Sequence, residues 1–324
     1  MRYVIAVLAV CLAVLGQGAV SAKPTKEPAP KPFAKSEDLL KWISGYKQKP
    51  EPARLPAAVK AMSDYGMTKD MDQAGVYIGF TAGVLGSDPE TAEKLISQMF
   101  PLSPDDQVLV IKAIAYSGLQ DWKDLLKKFV ERMPARKVLI DKYLYGNKPV
   151  LADLPIEDSS FAIDVNWGYY FATGSEPPVK RILVSLGWAG DKNNVEKLTI
   201  GAMAKWTLAQ NAARDSELLS MLKADVSGEP PEVRQPLNEV IEAAETLELG
   251  KIKKQAMMSI EELRAKGPEN VRSYNWWSQA GQTVLALGCV AASALGQVEF
   301  GIPCVVGGAL STAALKYLGP TNGQ

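Results

Sequence analysis

Between Ser36 and Gly267 the apolar residues recur at intervals of three and four, the spacing that places them on one face of an α-helix. Val108, Ile111 and Ala115 form one such series, and Leu125, Leu126, Phe129 and Val130 form another. The polar punctuation agrees. Asp88-Pro89 and Ser103-Pro104 each set a capping side chain before a proline at the first helical position, and Ser175-Glu176-Pro177 repeats the signal. Asp106, three residues after Ser103, stands where a capping box carries its acceptor, and Gly118 supplies a left-handed stop. No Asn-Gly or Asp-Gly joins two alternating runs, so strands find no support.

The spacing predicts helices over 37–46, 53–65, 70–86, 89–99, 104–117, 120–132 and 135–145, then a loop over 147–157. Further helices are predicted over 159–172, 177–188, 192–212, 216–225, 231–248 and 251–265. The fold class is all-α. Short connections make sequence neighbours antiparallel hairpins. The similar pairs 70–99 and 104–132 suggest an α-solenoid, although no tetratricopeptide or ankyrin signature recurs. The expectation is an irregular, solenoid-like array of antiparallel helical hairpins, divided into residues 36–150 and 151–267.

Two segments interrupt the amphipathic pattern. In AGVYIGFTAGVLG, Gly75, Gly79 and Gly83 fall four apart on one helix face, each costing up to about 1 kcal/mol of helix propensity. A glycine stripe allows a second backbone to approach closely. Asp70, Asp72, Tyr77 and Thr81 make the segment too polar and short for a membrane span, so tight packing in a soluble core is the expected role. In DVNWGYYFATG, Trp167, Tyr169, Tyr170 and Phe171 cover most of a helix circumference, which marks a buried central helix rather than a ligand patch.

The two ends differ from the body. Residues 1–22 combine Arg2, an apolar run from Val4 to Leu15 and the small residues Val20-Ser21-Ala22, the pattern of a cleaved secretory signal peptide. Residues 23–35 interleave prolines with lysines and read as an extended, solvated tether. The chain has no N-x-[ST] sequon, so export to a bacterial periplasm or envelope is expected.

From Ala280 to Leu315 the only formal charge is Glu299, and Gly296, Gly301 and Pro303 punctuate the middle. Residues 268–324 therefore read as an apolar helical hairpin. Cys289 and Cys304 lie symmetrically about its turn, and an oxidising compartment favours a disulfide between them, worth about 3 kcal/mol. Tyr274, Trp276 and Trp277 before the hairpin and Lys316 and Tyr317 after it fall at one end, where a membrane interface or a partner would meet them. Each arm is shorter than the roughly 20 residues of a span. Burial in the fold or an oligomer and contact with a membrane surface both stay open.

Composition narrows the chemistry. The chain of 324 residues has no histidine, which removes Ser-His-Asp triads and imidazole metal ligands. Its three cysteines, one inside the leader, do not make a zinc site. Lys+Arg and Asp+Glu are equal at 36 each, and Lys251, Lys253 and Lys254 lie among acids, so nucleic acid is not an expected partner. No P-loop, dinucleotide fingerprint, nucleophile elbow or EF-hand is present. Glu157, Asp158 and Asp164 have no distinguishing spacing, and the Glu-Ser dipeptide of lytic transglycosylases is missing. No catalytic residue, metal or cofactor is expected. The sequence points to an exported, non-enzymatic helical protein that serves as an interaction or envelope-associated scaffold, with a protein partner or self-association. A carboxylate-dependent cell-wall glycan hydrolase or lyase and a membrane-inserting hairpin protein are the alternatives.

Overall fold

The computed structural model describes residues 32–157, 160–191 and 194–247, and beyond them 250, 252, 254, 255 and 258. Among the described residues every regular element is helical. The first half holds α1 (Ser36–Ser44), α2 (Leu55–Asp64), α3 (Gly75–Ser87), α4 (Pro89–Met99), α5 (Pro104–Tyr116), α6 (Trp122–Lys127) and α7 (Lys137–Leu144). The second holds α8 (Ser160–Thr173), α9 (Glu176–Val184), α10 (Val195–Ala212), α11 (Ser216–Asp225) and α12 (Pro231–Thr246).

Capping chemistry sets several starts. Asp88 accepts from the Thr91 amide ahead of Pro89, and Ser103 accepts from the Asp106 amide ahead of Pro104. Asn194 and Asp215 do the same for α10 and α11. The helix expected from residue 70 begins only at Gly75. Asp70 instead accepts from the Asp72 amide and the Gln73 side chain, which holds these residues in a turn. The helix expected over 120–132 ends at Lys127 and is followed by a 3-10 turn at Val130–Arg132, after which Met133, ahead of Pro134, leaves the helical region. Past Val184, α9 tightens into a 3-10 turn at Ser185–Trp188.

The core is organised around α3 and α8. Every residue of α3 from Gly75 to Leu85 is buried, as is most of α8. The two helices meet backbone to backbone. A Cβ on Gly79 would lie 1.9 Å from the Val165 carbonyl oxygen, and one on Gly168 would lie 2.0 Å from that of Val76. Gly75 faces Asp164 and Phe161, and Gly83 faces Ala172 and Tyr169. Contacts advance along both helices in the same direction, so α3 and α8 run parallel. This pair is no sequence-adjacent antiparallel hairpin, and a parallel pair requires a crossover, which α4 to α7 supply. The contact also joins the two segments divided at residue 150 in the sequence.

On its other side α3 packs against α5. Gly86 abuts the Ser117 carbonyl, where a Cβ would come within 2.0 Å. The C-terminal elements form their own group, with α10 packed against α12 and against the turn at 185–188. Phe33, inside the segment expected as a solvated tether, is buried against Trp42 with the Arg54 guanidinium over its ring. One aromatic side chain in a proline-rich run is enough to dock it.

Substituting Gly79→Ala should destabilise the protein by about 2–4 kcal/mol in urea unfolding, because backbone cannot yield as a side chain can. Gly190→Ala, with nothing within 4 Å of the added carbon, should change stability little. Equal effects would contradict the close contact.

Candidate functional site

Two polar constellations lie near the central pair. The first is a buried ion network. Lys47, on the 3-10 turn Tyr46–Gln48, has a side chain only 6% exposed. It lies 2.8 Å from both Asp215 Oδ2 and Glu217 Oε2 and donates to the Tyr170 hydroxyl at 3.1 Å. Tyr170 in turn donates to Asp215 Oδ2 at 2.7 Å. Burial alone would lower the Lys47 pKa, but its hydrogen bonds to Asp215, Glu217 and Tyr170 outweigh that and raise it. Burial pushes the Asp215 carboxyl up, yet its bonds to Lys47, Tyr170 and the Leu218 amide hold it below the usual range. Every group here has a partner. The network ties the N-terminal turn to α8 and to the start of α11.

Asp106 is similarly committed. Its carboxylate accepts from the Ser63, Thr68 and Ser103 hydroxyls at 2.7, 2.6 and 2.6 Å, fastening the end of α2 and the chain just after it to the start of α5. This differs from a capping box, in which the acid would reach back to the cap's own amide.

Asp164 is the exception. It is buried on α8 opposite Gly75, and its carboxyl has no hydrogen-bond or ion-pair partner among the described residues. Burial raises its pKa well above the ordinary aspartate value, so the folded chain holds this proton at a pH where an exposed carboxyl has released it. Burial first, and then Asp164, also raises the pKa of Tyr77.

The second constellation is a cavity of about 520 Å³ between the end of α5, the start of α6, residues 150–152, α8 and α9. Leu119, Trp122, Val150 and Pro178 give it apolar walls. Its polar groups are few. Tyr169 is turned away, donating to the Ser117 carbonyl at 3.1 Å. Asn166 donates to the Ala162 carbonyl at 2.7 Å and leaves its own Oδ1 unpartnered. Arg181 crosses the wall and donates from its two terminal nitrogens to the Leu151 and Leu154 carbonyls, which holds the 150–154 loop in place. Among the described lining residues Arg181 is the only charged one. A larger hollow of about 640 Å³ by α10 and α12 has more polar walls, and its Lys205 is engaged by Glu239 and Gln255.

The glycines singled out in the sequence, Gly75, Gly79 and Gly83, lie against α8. Trp167, Tyr170 and Phe171 are buried, with the Trp167 indole donating to Thr207 Oγ1 at 3.0 Å. Glu157 is exposed and Asp158 lies outside the described residues. Cys289 and Cys304, with Tyr274, Trp276, Trp277, Lys316 and Tyr317, also lie outside the described residues. Lys47 and Arg181 had no signal in the sequence, because their partners come from distant segments. Asn166, a lone amide in an apolar helix, was a readable one.

Among the described residues no three potential metal ligands gather, and no helix is long and apolar enough to cross a membrane. No protein-family model, curated protein or solved structure matches this chain.

Three outcomes follow from these ionisable groups. Lys47→Met should cost about 1–3 kcal/mol in chemical denaturation, since Asp215 and Glu217 lose their cation while Asp215 keeps Tyr170. Glu217→Gln, on a largely exposed partner, should cost under about 1 kcal/mol. For Asp164, the folded chain retains a proton that the unfolded chain releases above about pH 4. Its contribution to stability therefore falls as pH rises from about 4 towards neutrality. Asp164→Asn should flatten that slope in unfolding curves taken across this range, and an unchanged slope would contradict the assignment.

Proposed function

We propose that this chain is an exported, non-enzymatic helical protein that acts as an interaction scaffold at the cell envelope. The observation that carries the reading is the use made of its interior polar groups. Asp106, Asp215 and Lys47 serve as fasteners between chain segments, and the apolar cavity has no carboxylate among its described lining residues. A glycan hydrolase would need two carboxyl groups about 5–10 Å apart across a substrate cleft. The cavity offers no such pair among its described lining residues, and Asp215 and Glu217 in the ion network are both engaged by Lys47.

In this reading the leader directs export, and residues 23–32 separate the body from its point of exit. The helical hairpins of the body, arranged about α3 and α8, present a surface to a protein partner or a second copy of the chain. The charge-poor C-terminal segment, a hairpin stapled by Cys289 and Cys304, is the anchor or interface, with Tyr274, Trp276, Trp277, Lys316 and Tyr317 at its base. A membrane surface is a further contact, and nucleic acid is not a partner.

The test is deletion of residues 276–318, followed by cell fractionation and by crosslinking and size analysis of the purified protein. Loss of envelope partitioning or of a defined assembly, with the helical body still folded by circular dichroism, is the expected result. Unchanged partitioning and unchanged assembly would remove the segment from any anchoring or interface role.

A further inference from the structure

The cavity beside α8 has the make-up of a binding site that the scaffold reading does not use. Its volume of about 520 Å³ lies within the range of small-molecule sites. At roughly 30 Å³ per heavy atom, as for liquid water, that admits on the order of fifteen atoms. Apolar side chains from α5, α6 and α9 surround a space with one cation at its edge.

That cation is incompletely satisfied. A guanidinium carries five N–H donors in a plane, and Arg181 uses one on each terminal nitrogen for the Leu151 and Leu154 carbonyls. Three remain. Among the described residues no carboxylate forms an ion pair with Arg181. Burial lowers its pKa from the ordinary arginine value, and the charges of exposed Asp153 and Glu157 act in the opposite sense from a distance. The two carbonyl contacts hold the guanidinium at the cavity edge, which reduces the ordering cost of meeting a ligand. Two nearby acids disfavour a dianion, whereas one planar carboxylate matches the unused donors.

We propose that this cavity binds an amphiphile with a single carboxylate head and an unbranched apolar body of about ten to twelve carbons, that is, a medium-chain fatty acid or a chemically similar monocarboxylate. The head lies on Arg181, and the chain runs between Leu119, Trp122 and Pro178.

The test is isothermal titration of the purified full chain with decanoate, decanol and decylammonium, each below its micelle concentration. Saturable one-to-one binding of decanoate is expected, with decylammonium at least tenfold weaker. Arg181→Gln should weaken decanoate about tenfold while changing decanol less than twofold. That variant also frees the 150–154 loop, so a second one is needed. Ala152→Trp places a large ring at the exposed rim of the cavity and should abolish binding of decanoate and decanol with the fold intact. No saturable decanoate binding, equal affinity for decanoate and decylammonium, or decanoate binding retained in a folded Ala152→Trp protein would each overturn the proposal.

Discussion

The structure depends on one contact, the backbone-to-backbone approach of α3 and α8 at Gly79 and Gly168. No side chain, not even a methyl group, fits between Gly79 and the Val165 carbonyl or between Gly168 and the Val76 carbonyl. The two glycines are reciprocal, each admitting the other helix's backbone. Their closeness brings many atoms into van der Waals range and offsets the helix propensity that four glycines in α3 give up. Because the pair is parallel, the chain between must travel back along its length, and α4 to α7 are that return. The position of α5 against the far side of α3 follows, with Gly86 meeting Ser117.

With α8 fixed in this way, its remaining faces set the polar features. Trp167 reaches Thr207 on α10, Tyr170 joins Lys47 and Asp215, and Asn166 and Tyr169 border the cavity. Asp164, facing Gly75, is the cost of the arrangement: a carboxyl with no partner in a place where a charge would be strongly disfavoured. Lys47, Asp106 and Asp215 are matched, and they hold distant segments together. Arg181 is different, since it braces a loop with part of its donor set and keeps the rest beside an apolar space.

Much of the fold was legible in the sequence, for reasons that can be named. Asp88-Pro89 and Ser103-Pro104 carry their capping chemistry locally, so these helix starts are written in three or four residues. The glycine stripe in α3 announces close packing because nothing else offsets its cost. The identity of the packing partner was not legible: Gly168 is a single glycine among aromatic residues, and no local pattern encodes a parallel crossover. The start of α3 was misplaced because Asp70 forms an Asx turn that competes with the helix. Phe33 was hidden by the prolines around it. The candidate cavity was less visible still, since Arg181 meets the Leu151 and Leu154 carbonyls through tertiary structure alone.

The central claim, that α3 and α8 form the cohesive unit of the protein, is tested most directly by native-state amide hydrogen exchange followed by fragment mass spectrometry. The slowest-exchanging amides should lie in residues 76–85 and 163–172, and should open only with the free energy of global unfolding. The amides of α11 and the 147–154 loop should exchange by smaller openings. If either central helix exchanges faster than α11 and α12, the α3–α8 contact is not what holds this protein together.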